Sequence, residues 1–209
     1  MRLALLHTSP AHIPVFEALR DAHHPGLVLR HHVDESLLAR AREEGAEAVV
    51  VEVREALERA VAEGVDAVLC TCSSIGGVAE AQGTGFAVPV VRVDRPMAAE
   101  AVAAGERIVV LATVASTLDP TADLVREEAG GRPVTVRTVL VDGAWELFAA
   151  GDGEGYARAV ADAVDAVTDA DAIVLAQASM TPAERLVRTA VPVFSSPRPG
   201  LAAAAAQCV

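Results

Sequence analysis

The sequence predicts an α/β fold built from two similar halves, and two observations carry this prediction. Short apolar runs alternate with longer segments of helical apolar spacing, and polar loops join them, as in parallel βαβ units. One strand pattern also occurs twice: Asp66 and Asp171 each begin an apolar run, and the residue six positions later is Cys72 in the first copy and Gln177 in the second. We therefore expect two pseudo-symmetric halves, each a parallel sheet flanked by helices, with the site in the cleft between them.

The elements follow from the apolar runs and from the residues that interrupt them. In the first half, strands are expected at 3–6, 27–33, 66–72 and 88–93, and helices at 12–22, at 37–63 with a break near residue 45, and at 74–82. In the second half, strands are expected at 107–112, 134–141, 171–177 and 191–194, and helices from 96, at 119–129, at 144–167 with an interruption at 151–153, and at 182–189. An Ala-rich helix follows residue 199. We place the first half at residues 1–95 plus 195–209 and the second half at 96–194.

Composition excludes several classes of function. The net charge of -12 and the absence of a basic run argue against nucleic acid or an anionic membrane as partner. No apolar run is long enough to span a membrane, so we expect a soluble cytoplasmic protein. A homo-oligomer is also compatible with the sequence. Every basic residue other than His is Arg. Pyridoxal phosphate enzymes and Walker loops both need a Lys, and both are therefore excluded.

Four loops rich in Ser and Thr each follow a predicted strand and precede a helix. They contain Thr8-Ser9, Thr71 to Ser74, Thr113 to Thr117, and Ser179 to Thr181. Hydroxyls and backbone N–H groups at a helix start bind anions, so these loops favour a carboxylate ligand, although the same side chains also serve as helix caps. Cys72 lies at such a start, where the helix dipole lowers a thiol pKa, and we expect a reactive thiolate; a buried structural cysteine is the alternative. Cys70 is expected in the core.

The remaining polar candidates are weaker. Gln177 exchanges hydrogen bonds but cannot act as a general acid or base, so it either orients a carboxylate or is a satisfied core amide. The six histidines lack the spacing of a metal site, and no metal is expected. His7 ends the first strand beside Thr8-Ser9 and is the one histidine placed to reach the cleft. Arg95 and Arg198 are loop cations that can meet an acidic substrate.

These motifs resemble the aspartate/glutamate racemase superfamily, which includes hydantoin racemases, arylmalonate decarboxylases and maleate isomerases. The resemblance spans nearly the whole chain and rests on five segments: His7-Thr8-Ser9-Pro10, Cys72-Ser73-Ser74 where the family has Cys-Asn-Thr, Leu111 to Ser116, Val174 to Met180, and Asp94-Arg95-Pro96-Met97. It implies two pseudo-symmetric halves with a catalytic Cys in each, and Gln177 stands at the second Cys position.

The resemblance implies a cofactor-independent, racemase- or isomerase-like enzyme acting on a small carboxylic acid, such as Asp, Glu, a hydantoin or a diacid. Cys72 is then the acid/base or nucleophile and Gln177 faces it. The residues expected to bind the substrate are Thr8, Ser9, Ser73, Ser74, Thr113, Ser116 and Ser179. Two-thiol racemisation would need a substitute for the missing thiol, such as His7. The alternatives are one-thiol decarboxylation of a malonate-like acid, and a binding protein that has lost catalysis.

Overall fold

A computed structural model describes residues 1–208, and the chain divides into two compact units. The first comprises Met1–Asp94 and the segment from Pro197 onward, and the second comprises Arg95–Ser196. Each unit contains a four-stranded parallel sheet flanked by helices, which confirms the α/β class. Among the described residues, no helix has the length and apolar character needed to cross a membrane.

The first unit is a sheet covered by helices on both faces. Its strands are β1 (Arg2–His7), β2 (Val28–Val33), β3 (Ala67–Cys70) and β4 (Val90–Arg92), and its first helices are α1 (Ile13–His23), α2 (Glu35–Glu44), α3 (Val50–Ala62) and α4 (Ser73–Gly83). The strand order is β2-β1-β3-β4. Leu6 and Cys70 face α2, α3 and α4, whereas Leu5 and Leu69 belong to the core cluster on the α1 side. The central strands β1 and β3 are buried on both faces, which explains why their sequences are continuous apolar runs.

The second unit has the same arrangement. Its elements are α5 (Arg95–Ala104), β5 (Arg107–Ala112), α6 (Leu118–Ala129), β6 (Thr135–Leu140), α7 (Ala144–Ala149), α8 (Gly153–Asp165), β7 (Ala172–Leu175) and β8 (Val193–Ser195), after which α9 (Pro197–Ala205) returns to the first unit. The strand order is β6-β5-β7-β8.

The central strands of the two units, β1 and β3 in the first and β5 and β7 in the second, repeat with a separation of 105 residues. This separation takes Arg2, at the start of β1, to Arg107, at the start of β5, and it takes Cys72 to Gln177. The burial patterns repeat as well, because β1 and β5 both have one exposed residue followed by five buried ones, and β3 and β7 are buried throughout. Corresponding positions in the two units can therefore be compared directly.

The acidic residue ahead of each central strand ties that strand to its neighbour. Asp66 Oδ2 accepts a hydrogen bond from the backbone N–H of Arg2 at 2.7 Å, and Asp171 Oδ2 accepts one from the backbone N–H of Arg107 at 2.9 Å. Asp171 also accepts from the backbone N–H of Glu106 at 3.1 Å and from the Arg107 guanidinium at 2.6 Å. The guanidinium, followed by the backbone N–H of Arg107, holds the pKa of Asp171 well below its ordinary value. The repeated acidic residue thus has a structural role.

The helix expected at 182–189 is wrong in both position and type. Ala178–Arg185 forms a 3₁₀ helix that begins directly after Gln177, and Pro182 lies inside it. Pro182 cannot donate a backbone hydrogen bond to a preceding turn, and the segment ends at Arg185 without forming an α-helix. The last helix likewise begins at Pro197, earlier than expected.

Candidate active site

Cys72 lies between the end of β3 and the first turn of α4, where its backbone is still extended (φ -105°, ψ 115°). Its side chain is 8% exposed and belongs to the same core cluster as Cys70, on the face covered by α4. Cys70 itself is fully buried, as expected for a core residue. The thiol interacts with the Thr8 hydroxyl and with the backbone N–H groups of Ile75 and Ser74. The strand end and the helix start therefore place one thiol among polar donors.

The expectation that Cys72 has a lowered pKa is wrong. Burial raises the pKa of the Cys72 thiol because a thiolate loses its hydration there. Interaction with the Thr8 hydroxyl and with the N–H groups of Ile75 and Ser74 acts in the opposite direction, and the charge of Asp94 raises the pKa further. The helix start does favour the thiolate, as predicted, but burial outweighs it. At neutral pH Cys72 is a protonated thiol.

A buried ion pair lies close to this thiol in the fold. Arg92, the register partner of Cys70, donates from Nε to Asp94 Oδ1 at 2.7 Å and from Nη2 to Oδ2 at 3.0 Å. Arg92 is 6% exposed and Asp94 is fully buried. A Cβ atom at Gly76 would lie 3.2 Å from Arg92 Cβ and Nε, so this α4 glycine makes room for the guanidinium. The buried Asp94 carboxylate of this pair disfavours a negative charge on the sulfur of Cys72.

The hydroxyl residues predicted for the first half have different environments. Thr8 is 4% exposed and lies beside Cys72, and Ser73 and Ser74 are buried in the first turn of α4. Ser9 has another task, because its Oγ accepts a hydrogen bond from the Ala11 N–H at 3.3 Å and caps the short 3₁₀ helix Pro10–His12. Three of the four predicted residues therefore lie near the thiol or in the turn that follows it.

His7 is buried and uses both ring nitrogens in a hydrogen-bonded chain that reaches the partly buried Glu17. Nδ1 lies 2.8 Å from Thr71 Oγ1, Nε2 lies 2.8 Å from His31 Nδ1, and His31 Nε2 lies 2.9 Å from Glu17 Oε1. Burial, and then the neighbouring histidines with His31 foremost, lower the pKa of His7 to about 3. The ring centroid lies 5.7 Å from that of Phe16 on α1. His7 is thus neutral and fully engaged, and its ring packs on the α1 side of the sheet.

In the second unit, Gln177 follows β7 as Cys72 follows β3, with a similar extended backbone (φ -125°, ψ 140°). Its Oε1 accepts hydrogen bonds from the Thr113 N–H at 2.6 Å, the Val114 N–H at 3.1 Å and the Thr113 hydroxyl at 3.1 Å. Backbone N–H groups only donate, which fixes the end of the amide that carries oxygen. Within residues 1–208, Nε2 donates to no protein group.

Tyr156, on α8, completes this cluster and was not foreseen. Its hydroxyl lies 2.8 Å from Ser179 Oγ and 3.2 Å from Thr113 Oγ1, and the side chain is 2% exposed. Burial raises the pKa of Tyr156, although the Ser179 and Thr113 hydroxyls oppose this. A tyrosine on the apolar face of a helix needs a buried hydrogen-bond partner for its hydroxyl. The position of Tyr156 on such a face is the one feature of the sequence that indicates this cluster.

The other candidates contribute less. Ser116 lies in the 3₁₀ helix Ala115–Thr117, and its Oγ is buried without a hydrogen-bond partner in the described part of the chain. Arg95 forms an ion pair with Glu127 at 3.0 Å and another with Glu128. Arg198 is exposed at the start of α9. Residues 1–208 contain no group of three His, Cys, Asp or Glu side chains placed to hold a metal ion.

The central strands of the two parallel-sheet units repeat at fixed spacing, and a Cys and a Gln stand at equivalent strand ends. Both features agree with the result of a family comparison. The model of the Asp/Glu/hydantoin racemase family matches residues 8–206, and the chain belongs to this family. A comparison with curated protein sequences finds no match.

Solved structures show the same fold. An aspartate racemase from Picrophilus torridus is 15% identical with a TM-score of 0.71, covering 99% of this chain and 94% of that one. A glutamate racemase from Bacillus anthracis is 14% identical with a TM-score of 0.75, covering 98% and 80%. An allantoin racemase from Klebsiella pneumoniae is 18% identical with a TM-score of 0.66, covering 99% and 86%. At these identities the likeness concerns the fold.

Proposed function

We propose that the protein is a cofactor-independent enzyme that acts on a small carboxylic acid through a single thiol, that of Cys72. The observation that carries this proposal is the placement of a protonated thiol between β3 and α4, beside the Thr8 hydroxyl and two backbone N–H groups. Family membership supports an isomerase-type reaction at carbon. The named activities of the structural relatives, which are aspartate, glutamate and allantoin racemases, indicate small acids or hydantoin-like compounds as substrates.

The chemistry follows from the charge state of the thiol. The substrate carboxylate binds to the hydroxyls and N–H groups around Cys72, so that negative charge developing on its oxygens meets donors. Exchange begins when the Cys72 thiol has lost its proton to solvent, and the thiolate is stabilised by Thr8 and by the N–H groups of Ser74 and Ile75. The thiolate takes the α-proton, and the electrons of the broken C–H bond form the enediolate. After its proton has exchanged with solvent, the Cys72 thiol returns a proton to the same face of the α-carbon, which forms the C–H bond again and regenerates the thiolate.

A second candidate is decarboxylation of a malonate-like acid. In that reaction the bond from the α-carbon to one carboxylate breaks, its electrons form the enediolate as carbon dioxide leaves, and Cys72 protonates the carbon. The raised pKa of Cys72 favours this candidate, because the reaction begins with a thiol and needs no base on the opposite side. Gln177, which has no ionisable group, agrees with it.

The proposal is tested by comparing Cys72→Ala with Cys70→Ala. Each purified variant is incubated in deuterated water with a panel of amino acids, hydantoins and substituted malonates, and NMR follows α-proton exchange and decarboxylation. We expect Cys72→Ala to lose activity by about 10²–10⁴-fold, the range for one general acid–base group, whereas Cys70→Ala keeps it. Full activity in Cys72→Ala would refute the proposal. Binding of the acids by the wild type without any turnover would identify a binding protein instead.

A further inference from the structure

Two consecutive side-chain pairs link the ends of β1 and β3. His7 is the last residue of β1, and its Nδ1 lies 2.8 Å from Thr71 Oγ1. The residues that follow, Thr8 and Cys72, form the next pair, in which the hydroxyl interacts with the thiol. His7 is fully buried and Thr71 is 2% exposed. The contact between His7 and Thr71 therefore joins the two residues directly ahead of the pair that contains the thiol.

The chain beyond His7 determines which atom donates in this contact. An ionised carboxylate only accepts, so His31 carries a proton on Nε2, which lies 2.9 Å from Glu17 Oε1. With both rings neutral, His31 Nδ1 then has no proton and accepts from His7 Nε2 at 2.8 Å. His7 Nδ1 in turn has no proton and accepts from the Thr71 hydroxyl. The chain therefore runs in one direction, from Thr71 to Glu17.

A second acceptor lies within reach of the Thr71 hydroxyl. Its Oγ1 lies 3.1 Å from Leu6 O, which already accepts the Thr71 N–H at 3.0 Å. The hydroxyl carries a single proton, so it serves either Leu6 O or His7 Nδ1. Turning it to Leu6 O would leave lone pairs of Nδ1 and Oγ1 facing each other at 2.8 Å inside the protein, which is unfavourable. Glu17 thus favours, through the two rings, the orientation that bonds Thr71 to His7.

We infer that Thr71 is a positioning residue for Cys72: its hydrogen bond to His7 holds the sulfur against the Thr8 hydroxyl, and Glu17 sets the direction of that bond. The inference rests on the proposed function, in which the Cys72 thiolate forms during the reaction and the Thr8 hydroxyl is one of its donors. His7 and Thr71 act through the backbone, because each directly precedes one member of the pair. Loss of their bond leaves the thiolate with a weaker donor.

The test measures the rate at which iodoacetamide alkylates Cys72 at pH 8, which needs no substrate and reports the thiolate. The protein carries Cys70→Ala and Cys208→Ala, so that Cys72 is its only thiol. Thr71→Val replaces the hydroxyl with a methyl group of similar size. We expect it to lower the rate by about two- to fivefold, the effect of weakening one hydrogen bond. Thr71→Ser retains a hydroxyl and should retain the rate.

The direction of the change separates positioning from a purely structural role. A variant that is only destabilised exposes the buried thiol more often and is alkylated faster, whereas a weaker donor to the thiolate makes alkylation slower. Thermal unfolding of each variant is recorded in parallel. An unchanged or higher rate in Thr71→Val overturns the inference, and so does a decrease of equal size in Thr71→Ser.

Heteronuclear NMR of the histidine side chains tests the role of Glu17. We expect His7 to carry its proton on Nε2 in the wild type at pH 8. In Glu17→Gln the amide can donate to His31, which reverses the chain, gives every contact in it a proton and moves the His7 proton to Nδ1. Asp21→Asn removes another carboxylate that pairs with Arg20 on α1 and should leave the tautomer unchanged. A proton on His7 Nδ1 in the wild type, or an unchanged tautomer in Glu17→Gln, overturns the role of Glu17.

The outcomes separate this inference from the proposed function. Slower alkylation of Thr71→Val in a protein that turns over no acid supports the inference about the thiol and refutes the proposed enzyme activity. An unchanged rate of alkylation in an enzyme whose activity depends on Cys72 overturns the inference and leaves the proposed function standing.

Discussion

The half-site after β3 and the half-site after β7 share a backbone and differ in one functional group. Thr8 interacts with the sulfur of Cys72, and Thr113, 105 residues later, interacts with the amide oxygen of Gln177. A thiol at this position can give and take a proton, whereas an amide can only bind. The same strand-end backbone thus holds an ionisable group in the first unit and a neutral amide in the second.

The groups that surround the two half-sites also differ in whether they can ionise. Near Cys72 the unit contains a buried ion pair, that of Arg92 and Asp94. Around Gln177 the directly bonded partners are backbone N–H groups and hydroxyls. This difference is the reason that the proposed function places proton transfer at Cys72.

The largest change is expected from Gln177→Cys, which restores a thiol at the second position. The new sulfur lies near the Thr113 and Val114 N–H groups, which stabilise a thiolate. Under the two-thiol arrangement that the family resemblance implies, we expect exchange or inversion at the second face of the α-carbon to rise by about tenfold or more above the level of Gln177→Ser, which has a similar size and no thiol. Chiral chromatography of the product measures it. Identical products from the two variants would mean that more than a thiol separates the half-sites.

A second difference concerns pH, because His7 corresponds to Ala112 in the other unit. Folding lowers the pKa of His7 from 6.5 to about 3, so between these values the unfolded chain binds more protons than the folded one. Its contribution therefore makes the free energy of unfolding fall as pH decreases from about 6.5 toward about 3, by at most about 1.4 kcal/mol per pH unit.

Urea unfolding between pH 5 and 7, above the range in which most carboxylates titrate, measures this slope. We expect His7→Gln to be less stable at pH 7 and to show a shallower decline toward pH 5. His23→Gln, at an exposed position at the end of α1, serves as the control and should retain the slope of the wild type. An identical slope in His7→Gln would contradict the assignment of a buried neutral imidazole.

The smallest effect is expected at the acidic residues ahead of the central strands. Asp171 accepts hydrogen bonds from two backbone N–H groups and pairs with the Arg107 guanidinium, whereas Asp66 accepts one hydrogen bond, from the Arg2 N–H. Both residues are solvent-accessible. We expect Asp171→Ala to lower the thermal midpoint by a few degrees and Asp66→Ala to lower it less, as differential scanning calorimetry would show. A larger decrease of the thermal midpoint in Asp66→Ala would indicate that the additional hydrogen bonds of Asp171 do not make it the more stabilising of the two residues.

Much of the fold could be predicted from the sequence because its signals are local. Strands such as Arg107–Ala112 are continuous apolar runs, and the repeat at Asp66 and Asp171 revealed two similar units. The prediction for the segment Ala178–Arg185 failed, because the effect of Pro182 on the type of helix depends on the turns that precede it.

The site was less predictable because its properties depend on tertiary contacts. The helix start beside Cys72 was visible in the sequence, but the depth of burial that reverses the direction of its pKa shift was not. Tyr156 was missed for the same reason, since its partners Thr113 and Ser179 lie more than twenty positions away in the chain, and Asp94 was named only as part of a segment that resembles the family.

The most direct test of the central claim is the stereochemistry of solvent deuterium incorporation by the wild-type protein. An accepted acid is turned over in deuterated water, and NMR and chiral chromatography determine which face of the α-carbon carries deuterium. A single active thiol, that of Cys72, predicts deuterium on one face only and a product of one configuration. Deuterium on both faces with a racemic product would show that a second proton-transfer group acts besides Cys72, and would contradict the single-thiol mechanism.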